Sequence, residues 1–170
     1  MKLYDHQKTA LAYLRSYDSF MLFMEQGTRK TIPTLTRLNE LIQSKVIKTA
    51  LVICPKSVIG SWDRDIQMFD TESQTRLKTH VEVINYDKVW RYDRNKFNPY
   101  DRQYDAIVID EAHSIKNRTS KRAAFILKLA VTATYRYALT GTPISNGQLE
   151  NFWSLICFLN PYSVGSRVYS

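Results

Sequence analysis

The sequence predicts an α/β domain built on a mainly parallel β-sheet with helices on both faces. Three observations point there. Five short apolar or β-branched runs recur along the chain, segments with helical spacing lie between them, and polar clusters follow four of the five runs. The runs "MLFM", "LVIC" and "AIVID" are near-continuous rather than alternating, as expected for strands covered on both faces of a parallel sheet.

Asp5 is a good N-cap for an opening helix that carries Ala10, Leu11 and Leu14 on one face. "DSFMLFM" (18–24) reads as the first strand. Ile32, Leu35, Leu38, Leu41 and Ile42 then form a helical stripe. "KTALVIC" (48–54), "HVEVINY" (80–86) and "YDAIVID" (104–110) read as the second to fourth strands. A second stripe, Ala123, Ile126, Leu127 and Ala130, precedes the fifth strand, "RYALTGT" (136–142). Leu149, Phe152, Trp153 and Ile156 make a closing helical stripe, with Leu155 and Leu159 alongside. In parallel sheets ligands collect beyond the carboxyl ends of the strands. "EQGTRKT" follows the first strand, "CPKS" the second, "DEAH" the fourth and "TGTP" the fifth.

A chain of 170 residues suits one domain able to bury roughly 70% of its unfolded surface. With 44% hydrophobic and 24% charged residues it has the profile of a soluble globular protein. Cys54 and Cys157, the two cysteines, sit in apolar stretches and read as buried thiols in a reducing compartment rather than a disulfide framework. Apolar runs reach about five to seven residues, against the roughly 20 that cross a bilayer, so no membrane partner is expected. Met1 to Tyr13 carries no apolar signal region. The expected location is cytoplasmic, nucleoid-associated, or nuclear in a eukaryotic host. Lys and Arg number 24 against 16 Asp and Glu, a net charge of +8 with a pI near 9.5, which suits an anionic partner such as nucleic acid.

"MEQGTRKT" (24–31) resembles a phosphate-binding loop, G-x-x-x-x-G-K-[ST], but Met24 and Arg29 occupy its glycine positions. Gln26, Gly27, Thr28 and Arg29 would offer backbone N–H groups to an anion at a helix start. Lys30 would reach the β- and γ-phosphates and the Thr31 hydroxyl would hold Mg²⁺. Pro33 fits a helix beginning near Arg29 or Lys30, because first-turn N–H groups lack intrahelical partners. Arginine at 29 requires a negative φ there, as in a first-turn helical residue. Its side chain would then point away from a nucleotide or toward another phosphate. At the end of an apolar strand, Asp110 would complete Mg²⁺ coordination through water, and Glu111 would position and deprotonate an attacking water.

In order, "LYDHQKTAL" (3–11), "MEQGTRKT", "LVICPKSVIGSWDRDI" (51–66), "VINYDKV" (83–89), "YDAIVIDEAHSIKNRTSKRA" (104–123) and "YALTGTPISNGQLENFWSLICFLNP" (137–161) cover most of the chain. Together they resemble the N-terminal RecA-like lobe of the Swi/Snf-type ATPases, within the superfamily two helicases and translocases. The resemblance implies a single RecA-like P-loop ATP-binding lobe over residues 1–170 that uses ATP and Mg²⁺. It places Gln7 as the adenine reader, Lys30 and Glu111 as catalytic groups, and Thr31 and Asp110 at the metal. Thr140, Gly141 and Thr142 would couple nucleotide state to DNA contacts, and Pro55, Lys56 and Ser57 would lie along a nucleic-acid strand. A lysine and a hydroxyl at a strand end also suit sugar–phosphate contact, although Ser57 equally fits an ordinary helix cap. Lys116, Asn117 and Arg118 would extend that basic surface, whereas Trp62 and Trp153 read as packing residues.

In this family ATP sits between two lobes and the second supplies arginine fingers. A finger contributes on the order of 10³–10⁵ in rate, roughly 4–7 kcal/mol of barrier. One lobe, ending at Ser170, is therefore expected to hydrolyse ATP poorly without a second RecA-like lobe in cis or in trans. The alternative is a non-catalytic nucleic-acid or protein-binding module that retains the fold with Arg29 disabling the loop.

Overall fold

The structure is a computed structural model that describes residues 2–73, 76–91, 102–117, 119–141 and 150–162. Its five strands are β1 (Ser19–Phe23), β2 (Ala50–Cys54), β3 (Val81–Asn85), β4 (Ala106–Asp110) and β5 (Tyr135–Thr140). All pair in parallel, in the order β1-β5-β4-β2-β3. The five apolar runs thus became the five strands.

Alternation along the strands divides the core in two. Ala50, Val52 and Cys54 of β2, Val108 of β4 and Leu139 of β5 face one layer. That layer is formed by helices α1 (Asp5–Ser16), α2 (Thr31–Gln43), α3 (Ile59–Ser73) and the short α4 (Leu77–His80). Leu51, Ile53, Ile107, Ile109 and Ala138 face the other, formed by α5 (Tyr86–Trp90), α6 (Lys121–Ala130) and α7 (Glu150–Leu159). Cys54 and Cys157 are free, buried, and on opposite sides of the sheet.

Several local expectations need correction. Tyr4, not Asp5, is the N-cap of α1, and Asp5 is its first helical residue, pairing with Lys8 at 2.8 Å. β2 and β4 are wholly buried, but β1 is an edge strand whose Phe23 is 50% exposed, so "MLFM" is not covered on both faces. Its apolar side chains pack sideways instead, Phe20 stacking on Tyr13 of α1 and on Tyr17, the residue that caps that helix. In α7 the buried face is Ser154, Leu155, Cys157 and Phe158, while Ile156 is exposed and Leu149 lies outside the described residues. The inward face of α7 meets α6, β5 and the 3₁₀ turn at Ala112–Ile115, which leaves Ile156 on the outer side.

Two polar clasps hold the ends of the layers. Asp105 Oδ2 accepts from the backbone N–H groups of Lys48 and Thr49, at 2.7 and 3.0 Å. The half-buried Arg136 guanidinium donates to the carbonyls of Ala130, Ala133 and Leu159, satisfying the open C-termini of α6 and α7 together.

Candidate active site

The loop after β1 is shaped by backbone contacts. Met24 N–H donates to the Thr140 carbonyl at 3.1 Å, so the chain leaves the sheet still tied to β5. Gly141, next along, approaches so closely that a Cβ there would meet Gln26 N and Met24 O at 3.3 Å. Gly27 then takes a φ of +84° and Arg29 one of +53°. The expectation of a negative φ at Arg29 is therefore wrong. The left-handed turn aims the Arg29 carbonyl at Ile32 N–H, 3.1 Å away, and delays α2 until Thr31, with Pro33 in its first turn. Arginine occupies a glycine conformation rather than a helical one.

Gln7 of α1 is buried, not a surface residue. Its Oε1 accepts from Tyr4 N–H at 3.1 Å, and its Nε2 donates to the carbonyls of Thr28 and Arg29, each at 3.4 Å. His6 Nε2 lies 3.3 Å from the same Thr28 oxygen. Two neighbouring side chains of α1 thus grip the loop from outside.

The second half of the site stands at the end of β4. Asp110 is buried, and each of its oxygens accepts one hydrogen bond: Oδ2 from Trp62 Nε1 at 3.0 Å, Oδ1 from Glu111 N–H at 2.9 Å. Burial pushes this carboxyl above its ordinary pKa, against the pull of the Trp62 donor and the Lys30 charge. Tyr86 reaches from the opposite face of the sheet and its hydroxyl donates to the Asp110 carbonyl at 2.7 Å. Glu111 turns sharply, with a φ of +50°, and its carbonyl accepts from Ser114 N–H at 2.9 Å.

The halves meet. The half-exposed Thr31 and the buried Lys30 line one cleft with Asp110 and Glu111, about 450 Å³ in volume, closed on the far side by Arg64 and Asp65 of α3. Lys30 Nζ stands 3.3 Å from Glu111 Oε1 across 81 residues of chain. The other oxygen, Glu111 Oε2, is buried without a hydrogen bond, 3.4 Å from His113 Nδ1. Burial raises the pKa of the Asp65 carboxyl, opposed in part by the charges of Arg64 and of Arg29, which is exposed at the cleft.

Other sequence-designated residues lie around this centre. Thr140 is buried beside the loop, and Thr142 lies outside the described residues. Pro55 caps a 3₁₀ turn over Lys56–Val58, with Lys56 and Ser57 exposed outside the cleft. Ser57 makes no cap, because it sits inside that turn. Exposed Lys116 and Asn117 flank a second groove of about 530 Å³ with Trp90, Lys121 and Arg122, and Arg118 lies outside the described residues. Trp153 packs as expected, whereas Trp62 both packs and holds Asp110. Trp62, Ile66 and Phe69 share the buried face of α3, and a fully buried indole N–H needs a partner, which was the available signal.

Comparison with known proteins agrees with this architecture. The family described as the SNF2-related domain matches residues 6–169. The SWI2/SNF2 ATPase core of Sulfolobus solfataricus, solved in complex with dsDNA, superposes with a TM-score of 0.82 at 28% identity. That match covers 99% of this chain and 38% of the other. Protein CHROMATIN REMODELING 24 of Arabidopsis thaliana is 28% identical over 97% of this chain and 18% of its own length. The TATA-binding protein-associated factor MOT1 of Saccharomyces cerevisiae is 30% identical over 92% of this chain and 10% of its own. The chain therefore spans less than two-fifths of each of these relatives.

Proposed function

Since the chain belongs to the SNF2-related domain family, we propose that it is the ATP-binding lobe of a DNA-dependent ATPase of the translocase type, completed by a second RecA-like lobe. One observation carries the reading: Lys30, Thr31, Asp110 and Glu111, from two segments far apart in sequence, line one cleft at the carboxyl rim of a parallel sheet.

The residues fit a Mg²⁺·ATP site. Among the described residues no cluster of three His, Cys, Asp or Glu side chains forms a metal cage. That suits Mg²⁺, which is commonly held by one or two carboxylates, water and substrate phosphates. Thr31 and Asp110 would hold the ion, which when bound neutralises charge developing on the phosphates. Lys30 neutralises the terminal phosphates in a buried setting, where its charge is least screened. The Glu111 carboxylate accepts a proton from an attacking water, and His113, 3.4 Å from its Oε2, orients it. Exposed Lys56 and Ser57 contact a DNA backbone, in keeping with the net charge of +8.

Titrating Mg²⁺·ATP onto the wild type and onto Lys30→Ala tests the reading. Loss of a charged contact should weaken binding by about 10–100-fold. Equal, negligible affinity for both proteins would instead support the module with a disabled loop.

A further inference from the structure

We propose that Trp62 is a positioning residue for the metal-facing carboxylate, and that it joins Asp110 mechanically to the exposed segment Pro55–Ser57. The inference rests on the nucleotide reading above.

Trp62 is fully buried, yet its ring also borders the cleft. Its indole N–H donates to Asp110 Oδ2 at 3.0 Å while Glu111 N–H holds Oδ1 at 2.9 Å. Two donors on two oxygens restrain the orientation of the carboxylate, which lines the cleft, and leave each oxygen further acceptor capacity. The indole is rigid and packed, so it moves with the first turn of α3 rather than independently of it. Trp62 stands in the first turn of α3, whose start at Ile59 follows directly on the 3₁₀ turn Lys56–Val58. Val58 and Ser61 of this short connection line the same cleft. A ligand that draws Lys56 and Ser57 outward therefore turns the first turn of α3, and the indole carries that turn to Asp110. Contact with a nucleic-acid backbone thereby alters the metal site without reaching it.

The substitution Trp62→Phe keeps most of the packing volume and removes the N–H. Affinity for ATP is measured by titration with and without Mg²⁺, on the full chain. In the variant the Mg²⁺-free affinity should match the wild type, and the gain on adding Mg²⁺ should shrink by about 10–100-fold, the usual cost of losing a group that orients a metal ligand. An undiminished Mg²⁺ gain overturns the positioning role. A wild-type chain that gains nothing from Mg²⁺ overturns the nucleotide reading, and this one with it. If Trp62→Phe does not fold, the ¹⁵N-indole resonance of Trp62 in the wild type decides. It should move on adding Mg²⁺·ATP and on adding a short DNA duplex, and a resonance indifferent to both overturns the link.

Discussion

The two turns that face each other across the cleft are built by opposite means. Around residues 24–31 the chain is shaped through its backbone, with Gln7 and His6 gripping carbonyls and Gly141 letting β5 press close. At Asp110–Glu111 the chain is shaped through buried side chains, Trp62 from one face of the sheet and Tyr86 from the other. Each turn contains a left-handed residue that is not glycine, Arg29 in one and Glu111 in the other. Such conformations cost roughly 1–3 kcal/mol and persist where the surroundings over-determine them. The difference predicts that the loop will tolerate a change of side chain better than the strand end.

The largest effect should come from removing function without touching either scaffold. Glu111→Gln in a two-lobe protein should leave ATP binding intact and reduce turnover by about 10²–10⁴, read by phosphate release. Retained turnover would take Glu111 out of its role. Smaller effects separate the two scaffolds. Tyr86→Phe leaves the buried Asp110 carbonyl without its donor and should cost about 1–2 kcal/mol in urea unfolding. Gln7→Ala should cost a similar amount, but its hydrogen-exchange signature should appear at Thr28–Ile32 rather than along β4. If both variants loosen the same amides, the two turns are one unit and the contrast fails.

A pH series sharpens the contrast from the buried side. Burial pushes the Cys54 thiol up to about 12 and the Tyr137 hydroxyl to about 12, with Tyr86 raised as well. In the unfolded chain these groups ionise from about pH 9 upward, while the folded state holds them neutral. Stability should therefore be unaffected by them below pH 9 and fall between about 9 and 12, as followed by the urea midpoint. The smallest effect belongs to Arg29→Gly. Relief of a left-handed L-residue, roughly 1–2 kcal/mol, is partly offset by glycine's freedom in the unfolded chain, about 0.4–1 kcal/mol. A gain near 0.5–1 kcal/mol is expected, and a loss would mean that the guanidinium facing Asp65 outweighs the strain.

Much of this was legible in the sequence. The strands were visible because β2 and β4 are buried on both faces and so lack polar interruption. Lys30, Thr31, Asp110 and Glu111 were visible because polar residues after strands share one rim. The edge position of β1 was not, since "MLFM" is as apolar as a central strand and its cover comes from aromatic rings of α1. Nor was the turn at Arg29 legible, because left-handed geometry ordinarily announces itself through glycine. The grip of Trp62 on Asp110 spans 48 residues and follows no local spacing.

The edge placement of β1 has a consequence for how the protein comes into being. Its sole neighbour in the described sheet is β5, Ser19 lying opposite Arg136. During synthesis the loop that follows β1 therefore hangs on a strand with nothing to pair with until more than a hundred further residues have emerged. Pairing across so long a separation is slow, because the entropy of closing the loop is lost before the contacts repay it. The cleft should mature late, with β2, β3 and β4 able to assemble before β5 brings its two halves together.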